Sequence, residues 1–121
     1  MNSLTGLRVL LVEDEPIVAM LTEDLLDVVG CVVAATVATV ADAQAAIASI
    51  AFDVAVVDVN LNGEDGLVVA TELTKRGIPC LITTGYDGRG ATREHPAAIV
   101  LTKPYLLGDL EAALTRCVVR A

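Results

Sequence analysis

The sequence predicts an α/β protein in which helices cover both faces of a parallel sheet of five short strands. Short, continuous apolar runs recur along the chain, as expected of strands that are buried on both faces. Between them lie segments with apolar residues at helical spacing, bounded by proline and glycine where helices start and end. Elements that alternate in this way are typical of βα units joined by right-handed crossovers.

The predicted strands follow the apolar runs of the sequence. They are Arg8–Val12, Cys31–Ala35, Val54–Val57, Cys80–Thr83 and Ile99–Leu101. In open α/β sheets, ligands bind outside the carboxyl ends of the strands. Functional residues are therefore expected at these strand ends.

The first predicted helix begins at Pro16 and ends at Gly30. Apolar residues at helical spacing predict its apolar face: Ile17, Leu21, Leu25 and Val28. Thr39 and Asp42 resemble a capping box that opens a second helix, which runs through Ile50.

Three further helices complete the prediction. The third covers Asp65 to Arg76 and stops at Gly77. The fourth, around Asp87 to His95, has the least support, because Gly88 and Gly90 disfavour helix. The fifth has the clearest apolar face: Leu106, Leu110, Ala113, Leu114 and Cys117.

Length and composition indicate one domain with an aliphatic core. The 121 residues are 55% hydrophobic but only 2% aromatic, and the formal charge is −8 with scattered lysines and arginines. Nucleic acids and anionic membranes demand a basic face, so neither is expected as a direct partner. No run resembles a signal peptide or reaches transmembrane length. Cys31, Cys80 and Cys117 lie far apart in apolar surroundings, which favours small core residues of a protein in a reducing cytoplasm.

Polar residues cluster at the ends of the predicted strands. The first strand runs into Glu13, Asp14 and Glu15, three like charges that repel one another. The third ends at Asp58, the fourth at Thr84 and the fifth at Lys103. Clustered carboxylates without nearby histidine or cysteine suit a hard cation such as Mg²⁺. Together with a lysine and a hydroxyl, they could neutralise a phosphoryl group during its transfer.

With these residues the chain resembles the response-regulator receiver domain from Val9 to about Val119. The motif is formed by the acidic pair Glu13–Asp14, Asp58, Gly66, Thr84 and Lys103–Pro104. The resemblance implies a flavodoxin-like, doubly wound sheet with strand order 2-1-3-4-5. It also implies that Asp58 accepts a phosphoryl group from the phosphohistidine of a sensor histidine kinase or of a histidine phosphotransfer protein.

The resemblance assigns roles to the other motif residues as well. Mg²⁺ would be held by Asp14, Asp58 and the backbone carbonyl of Asn60, with Glu13 acting largely through water. Lys103 would bridge to the phosphoryl group, and Thr84 would move to bind it as the switch residue.

Two positions depart from the family pattern. Asn62 stands where the loop after the acceptor usually has proline, and Val100 stands where the family carries its switch aromatic. The stretch PCLITTGY is similar to the P-F-x-F-A-T-G-Y pattern of some alphaproteobacterial single-domain receivers, although Cys80 and Thr83 differ from it. Those receivers carry a tyrosine at the position of Tyr86, which could replace the aromatic.

The expected function is a phosphorylation-controlled switch rather than an enzyme, in one receiver domain over residues 1–121 without an output domain. It would act by binding an unknown downstream protein or as a phosphate relay or sink. Weak homodimerisation through the fourth helix, fifth strand and fifth helix is a further expectation. Two alternatives stay open: a small aspartyl-phosphate-type phosphatase, and a receiver that is not phosphorylated and serves as a binding surface. The phosphatase is disfavoured because such enzymes want a second acid where Asn60 stands.

Overall fold

The computed structural model describes residues 4–85 and 99–120 of the chain. At its centre lies a five-stranded parallel sheet. Its strands are β1 (Arg8–Val12), β2 (Val32–Val37), β3 (Val54–Asp58), β6 (Cys80–Thr84) and β7 (Ile99–Thr102). They lie in the order β2-β1-β3-β6-β7. The two short strands β4 (Asn60–Leu61) and β5 (Glu64–Asp65) form a separate antiparallel pair. Without that pair the order is 2-1-3-4-5, so the predicted fold class is confirmed.

The strand ends differ from the predicted ones in a way that matters for the site. β1 has its predicted bounds, whereas β3 and β6 each extend by one residue. Asp58 and Thr84 are therefore the last residues of their strands. The backbone N–H of Glu13 donates to the carbonyl of Val37 over 2.9 Å, which continues the pairing of β1 with the longer β2.

Four helices are described: α1 (Pro16–Val28), α2 (Val40–Ser49), α3 (Leu67–Lys75) and α4 (Leu107–Arg120). The predicted fourth helix, around Asp87 to His95, lies outside the described residues, so α4 corresponds to the predicted fifth helix. The Thr39 side chain accepts from the backbone N–H of Asp42 over 3.0 Å, as the predicted cap requires. No helix in the described part of the chain is long and apolar enough to cross a membrane.

The predicted apolar face of α1 is largely wrong. Ile17, Leu21 and Val28 are exposed, and the helix instead buries Ala19, Thr22 and Leu26. Apolar residues occur on both sides of α1, so their spacing alone did not determine which side packs. In the last helix, Leu110, Ala113, Leu114 and Cys117 are buried as predicted, but Leu106 precedes the helix and is exposed.

The core lies on both faces of the sheet. Val9 and Leu11 of β1 pack in the cluster with residues of α1 and α4, whereas Leu10 and Val12 pack in the cluster with residues of α2 and α3. This alternation is the period of two that a strand between two layers requires. Of the three cysteines, Cys31 and Cys117 are buried and Cys80 is half-buried.

The β4–β5 pair is a hairpin closed by Asn62 and Gly63. Both residues have positive φ, 54° and 90°, which is the conformation of a type I′ turn. Asparagine and glycine tolerate this conformation better than other residues. The hairpin places Asn62 in a turn that proline, with its fixed negative φ, could not form.

Candidate functional site

The functional side chains predicted from the sequence lie at one edge of the sheet. Glu13 and Asp14 follow β1, Asp58 ends β3, Thr84 ends β6 and Lys103 follows β7. These four strands are neighbours and run parallel, so their carboxyl ends meet. The order of the strands in the sheet thus brings residues up to 90 positions apart in the sequence into contact.

Lys103 lies between two buried carboxylates. Its Nζ donates to Glu13 Oε1 and to Asp58 Oδ2, each over 2.8 Å. Glu13 and Asp58 are each only 4% exposed. The second Glu13 oxygen, Oε2, accepts from the backbone N–H of Glu15 over 3.1 Å. Both oxygens of Glu13 therefore have protein partners.

The pKa values show the competition between burial and charge at this site. Burial raises the pKa of Glu13, and its bonds to Lys103 and Glu15 only partly offset this. Burial alone would lower the pKa of Lys103, but its hydrogen bonds to Asp58 and Glu13 outweigh burial and raise it. The negative charge of Asp58 also raises the pKa of Glu13, since both carboxylates share one ammonium group. The site is short of positive charge.

The acidic residues fit a divalent cation. Carboxylate oxygens of Glu13, Asp14 and Asp58 lie within 4.8 Å of one another. Asp14 Oδ1 is buried and has no hydrogen-bond partner among the described residues. A buried oxygen without a partner is costly, and an all-oxygen set of ligands suits Mg²⁺. The donor chemistry and the free oxygen of Asp14 therefore match the predicted metal.

The backbone after Asp58 is tightly held. Asp58 Oδ1 accepts from the backbone N–H of Asn60 over 3.2 Å, and Asn60 Oδ1 accepts from that of Gly63 over 3.0 Å. The N–H of Gly66 donates to the carbonyl of Val59 over 2.7 Å. A Cβ atom on Gly66 would lie 1.9 Å from the carbonyl oxygen of Asp58. Only glycine fits there.

The predicted switch residues are partly placed by the structure. Thr84 is buried, and its carbonyl accepts from the backbone N–H of Lys103 over 2.7 Å, which links β6 to the lysine. Val100 is half-buried in β7 and packs against Leu67, Ala70 and Ile82. Tyr86 lies outside the described residues, and its predicted role stays a prediction.

Sequence reasoning missed a hydrogen bond beside the site. Thr22 Oγ1 and Tyr105 Oη lie 2.7 Å apart and join α1 to the segment that follows Lys103. Burial raises the pKa of Tyr105, and its bond to Thr22 lowers it in part. The two residues are 83 positions apart, so no local pattern could have paired them.

Comparison with known proteins identifies the family. The protein-family model described as "Response regulator receiver domain" matches residues 9–115. The transcriptional regulatory protein TcrA of Mycobacterium tuberculosis is 36% identical over an alignment 121 positions long, which covers 91% of this chain. The matched part is 45% of TcrA, so the chain spans less than half the length of this curated relative.

Solved structures agree with this match. SdrG from Sphingomonas melonis Fr1 is 38% identical with a TM-score of 0.80, over 98% of this chain and 99% of that one. The receiver domain of Erythrobacter litoralis PhyR is 27% identical with a TM-score of 0.85, over 95% and 92%. These neighbours are consistent with the predicted resemblance to alphaproteobacterial receivers. The chain belongs to the response regulator receiver domain family, whose members serve phosphorylation-controlled signalling in two-component systems.

Proposed function

We propose that this domain accepts a phosphoryl group on Asp58 from a phosphohistidine, in a reaction that requires Mg²⁺. The observation that supports it most is the contact of Asp58 Oδ2 with Lys103 Nζ at 2.8 Å, beside two further carboxylates. In the transfer, the bond between phosphorus and the histidine nitrogen breaks and a bond to an Asp58 oxygen forms. The donor is a sensor histidine kinase or a histidine phosphotransfer protein.

Asp14, Asp58 and the backbone carbonyl of Asn60 would hold the Mg²⁺, with Glu13 acting through water. When bound, the ion neutralises negative charge on the phosphoryl oxygens. The free Oδ1 of Asp14 supports a direct role for this residue. Glu13 has both oxygens engaged, which supports an indirect role.

Lys103 supplies the second positive charge in this proposal. It now divides its contacts between Asp58 and Glu13. Phosphorylation of Asp58 adds phosphoryl oxygens that Lys103 can contact, while Glu13 keeps the ammonium group nearby. Fixed charges of this kind lower the barrier to phosphoryl transfer because they need no rearrangement at the moment of reaction.

Thr84 is the proposed switch residue. Its hydroxyl would move to bond to the phosphoryl group. Because the carbonyl of Thr84 accepts from the backbone N–H of Lys103, this movement would shift both the end of β6 and the backbone at Lys103. When Thr84 moves, it would leave a space that the family's switch aromatic fills. Val100 is too short, and too stiff at its first side-chain torsion, to fill that space. Tyr86 is the proposed substitute.

The exposed apolar residues near the site support docking of the phosphodonor there. Ile17 and Leu21 on α1 are 74% and 59% exposed, and Leu106, three residues after Lys103, is 76% exposed. Apolar side chains so close to a polar site favour a protein partner.

The phosphorylated form would then bind an unknown downstream protein or pass the phosphoryl group on as a relay or sink. The proposal places the reaction in the cytoplasm, where the three thiols stay reduced.

The test is to treat the protein with acetyl phosphate and Mg²⁺ and to measure its intact mass. We expect one phosphoryl group on the wild type and on the control Asp24→Asn, and none on Asp58→Asn. Labelling of Asp58→Asn at the wild-type level would contradict the assignment. An unlabelled wild type would favour the receiver that is not phosphorylated, and turnover of a generic phosphate ester would favour the phosphatase.

A further inference from the structure

The hydrogen bond between Thr22 and Tyr105 lies in the core beside the site. Thr22 is the buried polar residue of α1, and Tyr105 packs against the cluster that contains Ala19, Leu26 and Leu110. A buried hydroxyl is costly unless it is bonded. Each of these two hydroxyls satisfies the other, and the described residues offer neither a second partner.

This bond holds the segment that carries Lys103. β7 ends at Thr102 and α4 begins at Leu107, so Lys103 to Leu106 form a four-residue connection. Within it, the backbone N–H of Lys103 is bonded to Thr84 and that of Leu106 to Asp109 Oδ2. Tyr105 adds a side-chain bond from this connection to α1.

The bond also relates the lysine to the acidic pair. α1 begins at Pro16, directly after Glu13, Asp14 and Glu15. A bond from α1 to Tyr105 therefore fixes the helix that follows the acids against the segment that carries the lysine. Burial raises the pKa of Tyr105, while the charge of Lys103 lowers it and those of Glu13 and Asp58 raise it further. The hydroxyl is thus within electrostatic reach of the site.

We propose that Tyr105 is a positioning residue that, through its hydrogen bond to Thr22, keeps Lys103 Nζ in reach of Asp58. The inference rests on the proposed function, in which Lys103 assists phosphoryl transfer to Asp58. Tyr105 touches neither reacting group. It acts by limiting the movement of the lysine segment relative to α1.

The experiment measures the rate of phosphorylation by acetyl phosphate at saturating Mg²⁺. Loss of one buried hydrogen bond in Tyr105→Phe should slow this rate roughly three- to tenfold. The Mg²⁺ concentration that gives half the maximal rate should not change, because the proposed metal ligands are untouched. Thr22→Val should behave like Tyr105→Phe, whereas Thr22→Ser keeps a hydroxyl and should retain most of the rate. Thr115→Val, which removes a hydroxyl bond to Glu111 within α4, is the matched control.

A second comparison separates positioning from general stability. If Tyr105 acts through Lys103, then Tyr105→Phe should cause no further slowing in a protein that already carries Lys103→Ala. Equal slowing by Tyr105→Phe with and without the lysine would overturn the inference. So would a Tyr105→Phe variant that is phosphorylated as fast as the wild type. If Tyr105→Phe does not fold, the pair Thr22→Val and Thr22→Ser gives the same comparison. A wild type that is not labelled would overturn the proposed function itself.

Discussion

At the scale of single residues, the adjacent acids Glu13 and Asp14 have different surroundings. Both Glu13 oxygens are bonded within the protein, one of them to Lys103. Asp14 keeps a buried oxygen without a partner among the described residues. The pair therefore divides the work in our proposal: Glu13 holds the lysine and Asp14 binds the metal. Spacing in the sequence could not reveal this division, because both acids follow the same strand.

Glu13 gives a pH-dependent prediction. Burial raises its pKa above the ordinary 4.5, so above pH 4.5 the folded protein binds more protons here than the unfolded chain does. The free energy of unfolding therefore falls as pH rises from 4.5 to the raised pKa, and the full cost remains above it. In metal-free protein, Glu13→Gln should unfold at higher urea concentration than the wild type at neutral pH, and this difference should vanish in acid.

Urea unfolding in EDTA at a series of pH values checks this prediction. Glu15→Gln is the control, since it removes the same charge from an exposed side chain two residues after Glu13. A constant difference between Glu13→Gln and the wild type across the series would show that titration of Glu13 is not the cause.

At the scale of elements, the connection from β3 to α3 determines where Asp58 lies. The hairpin β4–β5 turns the chain back after Asp58, and Gly66 then passes against the carbonyl of Asp58. Glu64 Oε1 also accepts from the backbone N–H of Val40 over 3.2 Å, which ties the hairpin to the start of α2. The acceptor is thus held from its own loop and from a neighbouring helix.

Gly66→Ala tests this connection. Its Cβ would meet backbone rather than a flexible side chain, so the chain around Asp58 must shift. We expect a loss of about 1–3 kcal/mol in the free energy of unfolding, as for other overpacked sites, and slower phosphorylation. Gly108→Ala is the matched control: no heavy atom lies within 4 Å of its Cβ, and alanine in a helix gains up to about 1 kcal/mol. Equal stability of the two variants in urea unfolding would contradict the predicted clash.

The elements also show what the sequence could predict. Strands buried on both faces have continuous apolar runs, so β1 was predicted with its observed bounds. The exposed positions of Ile17 and Leu21 were not predictable, because α1 has apolar residues on more than one side. The Asn62–Gly63 pair is itself a hairpin signal, since both residues tolerate the positive φ of a type I′ turn, although Asn62 was interpreted only as a departure from the family pattern.

The site was more predictable than the helices. Asp58 ends β3 and Lys103 follows β7, and these parallel strands are separated only by β6, so both residues lie at the same edge of the sheet and the long lysine side chain reaches the aspartate. The Thr22–Tyr105 bond depends instead on the packing of α1 against the lysine segment, which no spacing in the sequence encodes.

At the scale of the whole molecule, net negative charge makes the metal-free fold less stable than its core would allow. The chain carries a formal charge of −8, and three of its acids lie close together at the site. Lys103 contacts two of them but not Asp14. Like charges at this distance repel, and that repulsion is a cost of folding which a bound cation would remove.

Mg²⁺ should therefore raise the melting temperature. A ligand that binds only the folded state at ten times its dissociation constant adds about 1.4 kcal/mol, which corresponds to roughly 5 °C for a domain of this size. Asp14→Ala should abolish this rise and, in EDTA, should melt above the wild type because one repelling carboxylate is gone. Asp24→Ala, which removes an exposed acid of α1, should respond to Mg²⁺ as the wild type does. Thermal unfolding followed by circular dichroism, at matched ionic strength, measures the melting temperature of the wild type and of both variants with and without Mg²⁺. If Asp14→Ala gains as much from Mg²⁺ as Asp24→Ala, the ion acts by screening the whole charged surface and Asp14 is not its ligand.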